Sequence, residues 1–157
     1  MVQSLQLSYG QVVKKKIAPL SKELLIGVWQ FSSSKVGAGL LENFKFFKDG
    51  AFIYSFDPVS ENKKLVNIKG MFRVHKNELY LKISSLTEAV GGNVVSGAVG
   101  TDLDVFVIDK AVVKERKVSP SNELDALFIT VLDEKGRSLM INNKKFFKLT
   151  SDPNKTF

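Results

Sequence analysis

Apolar and polar residues alternate with a period of two along most of the chain, which is the pattern of half-buried β-strands. In the clearest stretch, 66–75, one face is valine, isoleucine, glycine and phenylalanine, and the other is mostly polar. Gly70 lies on the apolar face and indicates a bend or a close backbone approach. Similar short stretches recur up to about residue 149, separated by turn sequences. We therefore predict an all-β fold, an antiparallel meander β-barrel of about 8–10 strands without crossover helices.

One segment before the first strand has helical spacing instead. In 19–26, leucines recur four and five residues apart, Pro19 suits a first helical turn, and Ser21 is an alternative cap. Gly27 ends this segment and opens the strand that carries Trp29, the single tryptophan. We predict a short helix that plugs one end of the barrel, with Gly27 and Trp29 in a structural role at that closed end.

Two glycine-containing segments predict connections of different kinds. Asp49-Gly50 stands between two aromatic-rich stretches and is typical of a two-residue hairpin turn. Segment 91–100 has four glycines in ten residues, but no Gly-Lys-Ser/Thr and no helical pattern follow them. It therefore does not fit a phosphate-binding loop, and we predict a mobile loop at the barrel mouth.

A chain of 157 residues suits one domain with a sizeable core. We predict an N-terminal arm over 1–18, the barrel domain over 19–150 and a polar tail over 151–157. Because the first residues lack the basic start and apolar core of a secretory signal, we leave two compartments open. They are the cytoplasm, and export with the signal removed.

Composition excludes several classes of chemistry. Without cysteine, and with His75 as the one histidine, the chain offers no disulfide, no thiol nucleophile and almost no basis for a zinc site. His75 falls on the polar face of its strand near a turn, where we expect a solvated residue and not a general base. The carboxylate pairs lie in turns or at strand edges, without the cleft that glycoside hydrolysis requires. We expect no catalytic residue, metal or cofactor.

The chain is basic, with a net charge of +7, but only three of its 23 basic residues are arginine. Nucleic-acid readers usually concentrate arginine among exposed aromatic side chains. Scattered lysines favour solubility and a loose attraction to anions, so we expect no nucleic-acid partner. No apolar run approaches the roughly 20 residues that cross a bilayer, so we expect no membrane span.

Three motifs, in this order, resemble the lipocalin-like (calycin) superfamily and its small bacterial domains. They are Gly27-Val28-Trp29 after the short helix, an F-x-x-D-G-x-F hairpin over 46–52, and the strand pair over 68–81. The resemblance covers about 24–83 by motif and the rest by architecture. It implies a basic residue of the last strand stacked over the tryptophan, a role open here to Lys145 or Lys148. The Arg-x-Tyr of fatty-acid-binding relatives is absent.

Aromatic residues exceed what a narrow barrel core needs, and a wider barrel can enclose a ligand cavity. The candidate cavity residues are Phe52, Tyr54, Phe56, Phe72, Leu81, Phe106 and Ile129. Arg73 and Arg116 are candidates for an anionic head group, with plain surface charge as the alternative. The primary hypothesis is non-enzymatic binding of a small apolar or amphipathic ligand, anionic if these arginines contribute. The alternative is a filled barrel that serves protein interaction or self-association into a homo-oligomer, without a small-molecule ligand.

Overall fold

A computed structural model describes residues 19–35, 41–57, 64–96, 104–118, 127–131, 133 and 135–156. At 93–96, 104–110 and 128 it describes the backbone and not the side chains. This part of the chain contains one helix and nine strands. The elements are α1 (Lys22–Leu25), β1 (Gly27–Phe31), β2 (Asn43–Phe46), β3 (Ala51–Ser55), β4 (Leu65–His75), β5 (Glu78–Ser96), β6 (Asp104–Lys117), β7 (Leu127–Val131), β8 (Ser138–Ile141) and β9 (Lys144–Thr150).

The nine strands form one antiparallel sheet in the order β4-β3-β2-β1-β9-β8-β7-β5-β6, and β4 also pairs with β5. The contact between β5 and β7 is short, with the two pairs Glu78–Phe128 and Leu79–Leu127. A mostly antiparallel β-sheet with one short helix confirms the prediction at the level of fold class.

Helix α1 forms as the sequence predicts, but its cap is Ser21, and Pro19 lies before it. The Ser21 side chain accepts a hydrogen bond from the Leu24 N–H, which satisfies one of the free donors of the first turn. Trp29 is fully buried, and its Nε1–H donates to the Leu25 carbonyl at 2.6 Å. A side chain at Gly27 would clash with Thr150 and Ser151, so glycine lets β1 lie against the end of β9.

The core lies on the sheet face that α1 also contacts. Among the described side chains, its buried members come from α1 and from β1–β5 and β7–β9, so the inward faces of these eight strands share one cluster. The largest fully buried members are Trp29, Phe46, Phe52 and Phe146. Aromatic contacts link several of them, for example Phe46 to Phe72 with ring centroids 4.9 Å apart.

Gly70 provides the predicted close approach within β4. A Cβ atom there would clash with the Lys82 carbonyl and lie 2.9 Å from the Ile83 Cα atom. The register between β4 and β5 also shifts at this point, because Lys69 pairs with Ser85 and Gly70 pairs with Ile83. Ser84 is the extra residue, and its hydroxyl donates to the Lys69 carbonyl.

The hairpin between β2 and β3 is present, but its turn differs from the predicted two-residue type. The Gly50 N–H donates to the Phe47 carbonyl at 3.1 Å, which makes Lys48 and Asp49 the central pair. Gly50 follows with φ of +94°, and the Ala51 N–H bonds to Asp49 Oδ1. This is a three-residue connection in which glycine takes the left-handed position after the turn.

The glycine-rich stretch is strand where the structure describes it, so the loop prediction is wrong for Gly91–Ser96. Gly91 and Gly92 have φ of +78° and +86°, and the register with β6 shifts between Gly91 and Asn93. These glycines therefore allow a bulge inside a long strand. The rest of the predicted loop, 97–100, lies outside the described residues, as does the predicted arm 1–18.

Candidate functional site

A cavity of about 240 Å³ opens at one end of the core. Its apolar wall consists of Phe44, Ile68, Leu81, Leu127, Ile141 and Phe146. Its polar lining consists of Glu42, Tyr54, Asn142 and Lys144. The Glu42 carbonyl accepts a hydrogen bond from the Phe31 N–H, at the end of β1 that is remote from Gly27 and α1. The cavity thus lies at the end of β1 that is away from α1.

The polar lining is organised around the Glu42 carboxylate. Glu42 precedes β2, and its side chain is only 10% exposed. Lys144 Nζ donates to both carboxylate oxygens, at 2.9 and 2.8 Å, and the Tyr54 hydroxyl donates to Oε1. Lys144 Nζ also lies 5.4 Å from the centre of the Phe31 ring. A buried carboxylate is therefore held by one neutral and one cationic donor.

Tyr54 contributes a phenol that stays neutral at physiological pH. Burial raises its pKa above the ordinary tyrosine value, and its hydrogen bond to Glu42 and the charge of that carboxylate raise it further. Its ring lies 4.2 Å from Phe44 and 4.8 Å from Phe56, centroid to centroid. Tyr54 therefore joins the aromatic wall to the polar rim of the cavity.

Of the six predicted cavity residues whose side chains the structure describes, two line this cavity, Tyr54 and Leu81. Phe52, Phe72 and Ile129 are buried in the core but do not line the cavity. Phe56 is partly buried and packs against the core cluster. The side chain of Phe106 lies outside the described residues.

Neither candidate arginine lines the cavity. Arg73 is exposed on β4, and its guanidinium lies 3.7 Å from the centre of the Tyr80 ring. Arg116 is exposed on β6, with Nη2 3.3 Å from Glu88 Oε1. The charged groups at the cavity are instead Glu42 and Lys144, which sequence reasoning did not select. They are 102 residues apart in the chain, and no periodic pattern marks either one.

Next to α1, Lys148 is the basic residue over the tryptophan. Its Nζ lies 5.3 Å from the centre of the Trp29 ring and donates to the Leu24 carbonyl at 2.8 Å. Burial lowers the pKa of Lys148 below the ordinary lysine value. Lys145, the other candidate, lies over Phe147.

A second hollow, of about 570 Å³, lies on the surface near Lys148 and is lined by Asp133, Lys135 and Arg137 among others. The Asp133 carboxylate accepts hydrogen bonds from the Lys135 and Arg137 N–H groups and the Ser138 hydroxyl. Burial acts to raise its pKa, but these hydrogen bonds outweigh it and lower the pKa. The negative charge of Asp133 thus offsets the positive charge of the basic residues that line this hollow, which disfavours the binding of an anion there.

Among the described residues, His, Cys, Asp and Glu side chains form no group of three or more that could hold a metal ion. In the same residues, no helix has the length and apolar character to cross a membrane. Searches with protein-family models and against curated proteins and solved structures find no match to this chain.

Proposed function

We propose that this chain is a non-enzymatic, lipocalin-like binding domain. In this proposal its sheet closes into a barrel, and the cavity beside Glu42 takes a small apolar or amphipathic molecule. The observation that carries the proposal is the cavity itself, about 240 Å³ with six apolar wall residues and a small polar cluster. An apolar pocket with a few convergent polar groups is the usual form of a small-molecule site.

Strand pairing supports the closed barrel. β4 pairs with β3 and β5, β5 pairs with β7, and antiparallel pairs continue through β8, β9, β1 and β2 back to β3. These pairings form a circuit of eight strands, with β6 outside it. Lys148 over the buried Trp29 supports the lipocalin-like relationship, since that family places a basic residue of its last strand there.

The size of the cavity limits the ligand. A buried cavity of about 150 Å³ accommodates benzene, so about 240 Å³ corresponds to roughly ten non-hydrogen atoms. A fatty acid of ordinary length would have to extend out of the mouth. We therefore expect a compact ligand, such as one aromatic ring with a short polar side chain, held mainly by burial of its apolar surface.

Titration with 2-phenylethanol tests this proposal, monitored by calorimetry and by ligand-induced thermal stabilisation. Ile141→Trp places a larger side chain in the wall of the cavity and should abolish binding. Met71→Trp, at a residue that is 49% exposed on β4, is the matched control and should bind like wild type. The proposal fails if the wild-type protein binds neither 2-phenylethanol nor its amine and acid analogues, or if Ile141→Trp binds as well as wild type.

A second candidate function, self-association, is favoured by the β5–β6 arm. Val90 and Val112 face each other across this pair and are 45% and 58% exposed, and the neighbouring Val113 is 54% exposed. Among the described strands, β6 pairs with β5 alone, which leaves its other edge for strand addition by a second copy. Sedimentation velocity should then show a dimer that Val112→Lys dissociates. A monomer at all concentrations would refute this candidate.

A further inference from the structure

The two charges of the cavity differ in their access to water. The Glu42 side chain is 10% exposed, whereas the Lys144 side chain is 50% exposed. Lys144 begins β9, directly after the Asn142-Asn143 turn, and reaches Glu42 from the solvent side. The carboxylate is thus the inner group of this ion pair and the ammonium is the outer one.

A buried carboxylate needs donors, and it interacts most strongly with a cationic one. Here Lys144 supplies that cation from a half-exposed position, where its ammonium group regains water when it leaves Glu42. The Tyr54 hydroxyl holds Oε1 from within the sheet, so Glu42 stays fixed when Lys144 departs. A cation from inside the cavity can therefore replace Lys144 without leaving Glu42 unpaired.

We infer that the cavity selects ligands with a compact cationic head group, above all a primary ammonium on a small aromatic or aliphatic body, which binds Glu42 in place of Lys144. This inference rests on the proposed binding function and names its ligand class. It differs from the anionic ligand expected from Arg73 and Arg116, which do not line the cavity. A ligand carboxylate would meet the negative charge of Glu42, and Lys144 is already engaged with that residue.

Three ligands of nearly equal size and different charge separate the alternatives: phenethylamine, 2-phenylethanol and phenylacetate, titrated at neutral pH and low salt. Because a hydrogen bond between charged groups is stronger than one to a neutral group, phenethylamine should bind about tenfold more tightly than 2-phenylethanol. Phenylacetate should bind most weakly. This comparison uses the wild-type protein alone, so it does not depend on the folding of a variant.

Variants then assign the preference to this ion pair. Glu42→Gln keeps an acceptor for Tyr54 and should bring the amine down to the affinity of the alcohol. Lys144→Gln removes the competing ammonium and should strengthen binding of the amine and not of the alcohol. Lys145→Gln, one residue further on and over Phe147, is the matched control and should change neither.

The outcomes separate this inference from the proposed function. If 2-phenylethanol binds and phenethylamine binds no more tightly, or if phenylacetate binds best, the ammonium preference is refuted and the cavity still binds ligands. If Glu42→Gln leaves the amine preference intact, the assignment of that preference to Glu42 is refuted, and the cavity still binds ligands. If none of the three binds, both proposals fail.

Discussion

The contact between Tyr54 and Glu42 predicts a specific non-additivity of stability. Glu42→Leu removes the carboxylate and leaves the Tyr54 hydroxyl without its acceptor. A buried hydroxyl without a partner costs about 1–3 kcal/mol, and we take about 1 because Tyr54 is only partly buried. The lost ion pair with the half-exposed Lys144 adds up to about 1 kcal/mol. We expect Glu42→Leu to lower the free energy of unfolding by about 2 kcal/mol.

The second substitution should offset part of this loss. Tyr54→Phe alone should cost about 1 kcal/mol, because the carboxylate loses a donor. In the double variant no hydroxyl remains to be satisfied, so the total should be about 1 kcal/mol, close to the ion-pair contribution. Simple additivity would give about 3 kcal/mol. The difference between these two totals, about 2 kcal/mol, is the coupling free energy between Glu42 and Tyr54 that the experiment measures.

Urea denaturation of the four proteins at neutral pH, analysed only where the m-values agree, measures this coupling. The double variant should be more stable than Glu42→Leu. If the effects add within about 0.5 kcal/mol, the Tyr54 hydroxyl is hydrated in solution and does not depend on Glu42. That result would also remove the reason to treat Glu42 as a fixed group in the cavity.

Two further predictions concern the backbone and the pH dependence. Gly70→Ala should lower the free energy of unfolding by about 3 kcal/mol in urea, because its Cβ would clash with the Lys82 carbonyl, whereas Met71→Ala should change it by under about 0.5. If the two substitutions change the free energy of unfolding equally, β5 moves at little cost to accommodate the added Cβ atom. Since burial and Glu42 raise the pKa of Tyr54, its contribution to stability should be complete below about pH 10 and fall above it. Tyr54→Phe should reduce the loss of stability above about pH 10. If the pH dependence of its unfolding free energy is the same as that of wild type, Tyr54 is not the group responsible.

The period-two pattern was sufficient to predict strands, because alternation reports which face of a strand is buried. It does not report how far along the strand axis a residue lies. Phe44 and Phe46 share a face of β2, yet only Phe44 lines the cavity. The alternation also placed Phe72 on an apolar face and led to its prediction as a cavity residue. It lies in the core instead, where Lys22 approaches its ring. Sequence reasoning therefore found the core and not the position of the hollow within it.

The glycine-rich stretch shows a second limit. Glycines favour a loop when only composition is considered, but Gly91 and Gly92 are compatible with a strand whose register shifts at a bulge. Pairing with β6 decides between these outcomes, and it involves residues such as Ala111 about twenty positions away. The Glu42–Lys144 pair depends on an even larger separation. In both cases the deciding partner is distant in sequence.

Two lysines of β9 make different contacts at the two ends of the core. Lys148 lies over Trp29 and donates to a backbone carbonyl, whose position does not change when side chains rotate. Lys144 lies over Phe31 and donates to a carboxylate that another cation can use. The Lys148 contact therefore holds α1 against the sheet, whereas our inference requires the Lys144 contact to be exchangeable. Under this inference a ligand cation takes the place of the Lys144 ammonium group. We therefore expect binding beside Glu42 and not beside the tryptophan.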